Sequence, residues 1–150
     1  LYMYQMDGLE VYIHGYETEF QYKLNKLIDL EGSFSATRGE NLTDNSPLYY
    51  VPPDKILLST EVYLSPFSIN LMHKKVFSQD RVGLYEETTP GYETYNLIGT
   101  YTIRSEQAIH KFILQIDNIF DRKYYNHLSR IKSIMPEKGR NIEFQYRLNF

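Results

Sequence analysis

The segment that most constrains this chain is residues 142–150, IEFQYRLNF, in which apolar and polar residues alternate without interruption. Because neighbouring side chains of a β-strand point to opposite faces, the pattern predicts a strand with one apolar and one hydrated face. The terminal strand of a soluble protein often frays, whereas the terminal strand of a membrane β-barrel pairs with the first strand to close the sheet. The remaining sequence therefore has to be compared with what a barrel requires.

Six further segments alternate in the same way, and no helical period fits them better. They span residues 9–24, 27–38, 55–64, 67–78, 92–104 and 109–118. Together with the last segment, they predict an all-β fold, an antiparallel up-and-down meander of about seven strands.

The connections between these segments alternate strictly between short and long. Residues 25–26, 65–66 and 105–108 form short links, and residues 39–54, 79–91 and 119–140 form long polar connections. Membrane barrels have short periplasmic turns and longer outer loops, and a strand of about ten residues crosses a bilayer when tilted. Seven strands are too few for a closed single-chain barrel. We therefore expect the C-terminal part of a larger barrel, with the edge of residues 142–150 left unpaired.

Composition alone favours a tyrosine-rich soluble β-sheet slightly over a membrane protein. The chain contains 15 Tyr and 8 Phe, has neither Cys nor Trp, and carries a formal charge of -3. Tyrosine suits a membrane–water interface, although a soluble β-sheet also favours aromatic residues. The mildly acidic balance predicts no nucleic-acid partner. No apolar run is long enough for a transmembrane helix, and residues 1–8 lack the pattern of a signal peptide.

Five motifs carry a resemblance to a known family. They are GYETEFQYKL at residues 15–24, VPPDK at 51–55, ETTPGYETYNL at 87–97, LQIDNIFDRKYYNHLS at 114–129 and KGRNIEFQYRLNF at 138–150. In this order and spacing they resemble the C-terminal third of the β-barrel of a TonB-dependent outer-membrane receptor of the iron/siderophore type.

The resemblance implies that residues 1–150 are one domain, the C-terminal segment of a 22-stranded transmembrane β-barrel in the outer membrane of a Gram-negative cell. A plug domain and earlier strands would lie upstream. The implied function is TonB-dependent active uptake of a ferric siderophore or a similar iron chelate, with no enzymatic activity and no cofactor. The implied partners are outer-membrane lipid, the TonB energy-transducing protein, the plug, the iron chelate and the barrel assembly machinery.

Several alternatives remain open at this stage. The cargo of such a receptor could instead be haem, cobalamin or a glycan. A soluble lipocalin-like barrel would bury the apolar stripe in its own interior. An outer-membrane lipase or protease would need a Ser or an Asp/His set at one membrane boundary, and the sequence offers none that we can assemble.

Two groups of residues are candidate sites. The resemblance implies that Tyr146, Leu148 and Phe150 form the signature read by the assembly machinery. The candidates for ligand binding are Arg122, Tyr124, Tyr125 and His127, in a basic, tyrosine-rich connection. That connection also suits the phosphates of outer-leaflet lipids, which we favour, and we expect His127 to be a solvated loop residue. We predict no catalytic and no metal-ligating residues.

The alternation also places five carboxylates on the hydrated face. They are Glu17, Glu19, Asp29, Glu31 and Glu61. Paired carboxylates can perform acid–base chemistry. Because these recur on several strands, we favour a hydrated lumen wall in contact with a plug.

Overall fold

The computed structural model describes Gly8 and residues 10–150. It contains eight β-strands: β1 (Val11–Lys23), β2 (Ile28–Asn41), β3 (Ser46–Pro47), β4 (Lys55–Leu64), β5 (Phe67–Val76), β6 (Tyr92–Arg104), β7 (Ile109–Asp117) and β8 (Asn141–Asn149). Leu9, which begins the first predicted segment, lies outside the described residues, as do residues 1–7 of the stretch that lacks a signal-peptide pattern. Between residues 10 and 150, no helix is long and apolar enough to cross a membrane.

The strands form one antiparallel sheet, in the order β1-β2-β4-β5-β6-β7-β8, with the short β3 paired to the end of β2. Each long strand pairs with the next long strand along the chain, so the predicted up-and-down meander is confirmed. The predicted count of seven is one too low, because a two-residue strand is too short to show alternation.

The second predicted segment ends too early. The β2 strand continues past Arg38 to Asn41, because Gly39, Glu40 and Asn41 pair with Ile13, Tyr12 and Val11 of β1. Local polarity marked these residues as a loop, but hydrogen bonding to the neighbouring strand keeps them extended. The first long connection is therefore residues 42–54. The second and third are residues 77–91 and 118–140, and the predicted alternation of short and long connections is confirmed.

The register confirms that the five carboxylates share one face. Glu31 lies opposite Gln21, and Asp29 lies opposite both Lys23 and Glu61. We call this side of the sheet the polar face. A concavity of about 440 Å³ lies on it, lined by residues that include Glu19, Ser59 and Asn96. The polar face therefore carries a concave surface.

The opposite side, which we call the apolar face, leaves its large side chains uncovered. The exposed members include Tyr16, Phe20, Leu64, Phe67, Leu71, Leu114, Ile142, Phe144 and Leu148. Among the described residues, the buried apolar side chains are Val51, Val76 and Tyr92. A sheet with so small an interior gains little from its own hydrophobic burial, so its apolar face needs contact with another apolar phase.

Both outer strands of the sheet have a free edge. Within residues 10–150, β8 pairs with β7 alone and β1 pairs with β2 alone. The predicted unpaired edge at residues 142–150 is confirmed, although the strand itself begins at Asn141 and ends at Asn149. A free edge presents a row of unsatisfied backbone groups that another strand can pair with.

Two strand glycines provide a matched test of the β1–β2 pairing. A Cβ added at Gly15 would lie 2.5 Å from the backbone oxygen of Ala36, whereas one added at Gly99 meets nothing within 4 Å. We expect Gly15→Ala to lower the free energy of unfolding by about 1–3 kcal/mol through overpacking. We expect Gly99→Ala to be neutral or to stabilise by up to about 1 kcal/mol. Denaturant unfolding of both variants in detergent measures the difference, and equal effects would contradict the close approach at Gly15.

Candidate functional site

Four aromatic residues lie directly opposite one another across four strands of the apolar face. Phe67 pairs with Tyr101, Tyr101 with Phe112, and Phe112 with Tyr146. Their ring centroids are separated in turn by 4.7, 6.3 and 5.1 Å. This aromatic row lies near the ends of the strands that carry the short links. Membrane barrels place such girdles at their interfaces with water.

A second set of rings lies toward the long connections. His73 stacks on Tyr95 with centroids 4.5 Å apart, and Tyr95 meets the edge of Phe120 at 5.3 Å. At the next pair of residues on this face, toward the long connections, Lys75 and Glu93 form an ion pair at 2.9 Å. The apolar surface therefore changes to charged surface at this level. The two sets of rings are six residues apart on β6, or about 20 Å along the strand.

The strand lengths agree with a membrane crossing. The β4 and β5 strands each have 10 residues. At about 3.4 Å per residue and a tilt of about 40°, such a strand spans about 26 Å of height. The apolar band of membrane barrels is about 25 Å tall. The apolar face thus has the dimensions and the aromatic borders of a lipid-facing surface.

The long connections are joined to one another by the carboxylate of Glu86, whose side chain is only 4% exposed. It accepts hydrogen bonds from the backbone amides of Tyr50 and Gly83 and from the ammonium group of Lys132 at 3.0 Å. Burial disfavours the ionised form, but these donors outweigh burial and lower the pKa of Glu86. Residues from all three long connections therefore meet at one ionised carboxylate.

His127 lies in the same place and is 2% exposed, so the expectation of a solvated loop residue is wrong. Its Nδ1 lies 3.0 Å from Thr89 Oγ1 and 3.3 Å from Lys132 Nζ, and its Nε2 lies 3.1 Å from Glu86 Oε1. Burial, reinforced by Lys132 and opposed by Glu86, lowers the pKa of His127. Because an ammonium group only donates, Nδ1 is the acceptor in this arrangement, which assigns the proton of the neutral ring to Nε2. Nε2 is buried and makes no hydrogen bond, although Glu86 Oε1 is only 3.1 Å away.

The other ligand-binding candidates have separate neighbours. Tyr124 packs on Tyr92 with centroids 4.3 Å apart, and burial raises the pKa of Tyr124. Lys123 lies over the ring of Tyr125 at 5.8 Å. The side chain of Arg122 is exposed. The structure does not bring these three side chains and His127 together around one cavity, and their predicted ligand-binding role remains a prediction.

Asn118, which sequence reasoning missed, organises the base of the third connection. It is 4% exposed and adopts a φ of 50°. Its side-chain oxygen accepts the backbone amide of Arg122, and its side-chain amide donates to the backbone oxygens of Arg122 and Lys138. Asparagine tolerates this left-handed conformation and caps turns in this way. The sequence signal for this role was the position of an asparagine directly after an alternating strand.

The described residues offer few ligands for a bare metal ion. Between residues 10 and 150, no group of three or more His, Asp or Glu side chains is close enough to hold one. Glu86 and His127 contribute two such groups where the long connections meet, and the ammonium of Lys132 lies beside them, 3.0 Å from Glu86 Oε1 and 3.3 Å from His127 Nδ1.

No protein-family model matches this chain. A solved structure, that of the copper transporter OprC, does resemble it. The likeness has a TM-score of 0.82 at 21% sequence identity and covers 92% of this chain. It covers 23% of the OprC chain, so this chain spans about a quarter of that protein's length. The likeness shows the fold: the sheet has the architecture of the matching part of OprC.

The three residues of the predicted assembly signature lie at one end of β8. Tyr146 and Leu148 are on the apolar face and are 50% and 45% exposed, and Phe150 follows the strand fully exposed. Tyr146 also belongs to the aromatic row, and its hydroxyl lies 2.8 Å from Nδ1 of His110. All three side chains are thus accessible from outside the sheet, and recognition by the assembly machinery remains a prediction.

Proposed function

We propose that this chain is the C-terminal segment of the 22-stranded β-barrel of a TonB-dependent receptor in the Gram-negative outer membrane. The observation that carries the proposal is the exposed apolar face, bordered by aromatic rings on strands that can cross a bilayer. The consistent placement of long connections at one end of the sheet supports it, as does the fold shared with part of OprC. A soluble lipocalin-like barrel would instead enclose its apolar residues.

In this proposal each surface of the sheet has a partner. Lipid covers the apolar face, and an upstream plug domain contacts the carboxylates of the polar face. Earlier strands of the barrel pair with the free edges of β1 and β8, which removes the cost of leaving backbone groups unsatisfied in lipid. The plug transmits energy from the TonB protein, and the barrel assembly machinery reads Tyr146, Leu148 and Phe150.

We propose uptake rather than catalysis, with a metal-containing ligand as the cargo. A ferric chelate is the first candidate, because the third connection presents cations and tyrosines that suit an anionic complex. These residues include Lys123, Tyr125, Arg130 and Arg140. The name of OprC gives copper as the second candidate. Haem, cobalamin or a glycan would need recognition surfaces that these residues do not suggest.

The experiment is an uptake assay in cells that carry the complete protein as their sole receptor for the ligand tested. We expect radioactive iron to accumulate as a siderophore complex, and accumulation to stop when TonB is deleted. Accumulation of copper alone would replace the iron chelate as cargo but leave the receptor class intact. A protein found in the soluble fraction, with no TonB-dependent uptake of either metal, would contradict the proposal.

A further inference from the structure

Glu86, Thr89, His127 and Lys132 form a buried cluster, which we call the latch. Glu86 and Thr89 belong to the second long connection, and His127 and Lys132 belong to the third. The first connection joins through Tyr50, whose amide binds Glu86 and whose ring lies 5.8 Å from the ammonium of Lys132. The side chains of Glu86, His127 and Lys132 are 4%, 1% and 9% exposed. Buried charges that join distant segments are costly unless their pairing is complete.

The latch is electrically balanced when His127 is neutral. The carboxylate of Glu86 and the ammonium of Lys132 form an ion pair at 3.0 Å. They are the charged groups that face the imidazole, and Thr89 adds a hydroxyl at 3.0 Å. A proton added to His127 would leave one excess positive charge in a buried space. It would also place a second donor, Nδ1–H, against the Lys132 ammonium 3.3 Å away.

We propose that the latch is a proton-sensitive device, which holds the three long connections together while His127 is neutral and releases them when His127 is protonated. The carboxylate of Glu86 does not compensate the added proton, because Lys132 and two backbone amides already bind it. Release therefore relieves a buried like-charge contact and lets water reach the imidazolium. Protonation of His127 thus controls whether the long connections stay docked, whatever the cargo.

The direction of the pH dependence follows from the pKa values of His127 and Glu86. The pKa of His127 is lowered from an ordinary value of 6.5, so the open form binds more protons than the closed form just below that pH. The closed form is fully stabilised above pH 6.5 and loses stability as the pH falls through the lowered pKa of His127. The pKa of Glu86 is lowered from 4.5, so this carboxylate stays ionised in mild acid and cannot cause the release.

The test is amide hydrogen exchange of the complete protein, purified in its folded membrane form, at pH 7.5 and 5.5 with labelling times scaled for intrinsic exchange. We expect protection of peptides from residues 77–91 and 118–140 to fall at pH 5.5, by up to about tenfold. His127→Gln should remove this response. The matched variant His110→Gln, which changes a histidine on β7, should retain it. Unchanged loop protection in the wild type, or an equal response in His127→Gln, would overturn the proposal.

A second readout decides the matter if His127→Gln does not assemble. Exchange of the imidazole C2 proton in the wild-type protein reports the pKa of each histidine. We expect the midpoint of His127 to lie below 6.5 and to coincide with the loss of loop protection. A midpoint at or above 6.5, or loop opening at a pH unrelated to it, would show that the latch does not respond through His127.

Discussion

Replacing Leu114 with arginine is expected to cost the folded barrel about 2–4 kcal/mol, the largest effect that we predict for a single strand position. Leu114 lies on the apolar face between the aromatic row and the rings near the long connections, and it is 45% exposed. In a membrane its neighbours would include acyl chains, which cannot solvate a guanidinium group. The fraction of heat-modifiable, folded protein in the outer membrane measures the loss.

The adjacent residue supplies the control. Ile113 has a similar side chain but lies on the polar face, opposite Thr100 and Gln145. Ile113→Arg should change the free energy of unfolding by about 0.5 kcal/mol or less, because water or polar groups can meet the charge. If the two arginine variants were equally damaging, or if Ile113→Arg were the worse, the assignment of lipid to the apolar face would be wrong.

Replacing Glu86 with alanine is expected to undock the long connections at a cost of about 3–5 kcal/mol. The variant leaves the ammonium of Lys132, 9% exposed, without its carboxylate and removes the acceptor of two backbone amides. Tryptic cleavage of residues 118–140, which are rich in Lys and Arg, should accelerate by at least about 100-fold. The strands should remain intact, because the ladder does not include these side chains.

Two variants separate the charge of Glu86 from its position. Glu86→Gln keeps an acceptor oxygen but removes the charge, so its cleavage rate should lie between those of the wild type and the alanine variant. Glu87→Ala, at the neighbouring exposed residue, should cleave at the wild-type rate. Cleavage of the Glu86→Ala variant at the wild-type rate would show that the carboxylate does not hold the connections.

The strands were predictable because one physical rule governs them. Side chains alternate in period two wherever one face meets an apolar phase and the other meets water, and residues 55–64 and 92–104 match β4 and β6 at both ends. The rule fails where strand pairing continues beyond the alternating residues, as at Glu40 and Asn41 of β2. It also fails for β3, which is too short to show a period.

The latch was not predictable, because its contacts join residues far apart in the sequence. Glu86 meets Tyr50 and Lys132, which are 36 and 46 positions away. Nothing local distinguishes Glu86 from the exposed Glu87, or His127 from a solvated histidine. Their burial arises because three connections converge beyond the same ends of the strands, and the sequence of any one connection does not show this convergence.

A spin-label scan of β7, in the complete protein reconstituted in lipid, tests directly whether the apolar face contacts lipid. The chain has no Cys, so single cysteines at residues 110 to 117 can each be labelled without background from these residues. We expect accessibility to apolar oxygen to peak at Phe112, Leu114 and Ile116 and to fall at Lys111, Ile113 and Gln115. Oxygen accessibility that peaks at the second set, or that is uniformly low on both faces, would contradict a lipid-facing sheet.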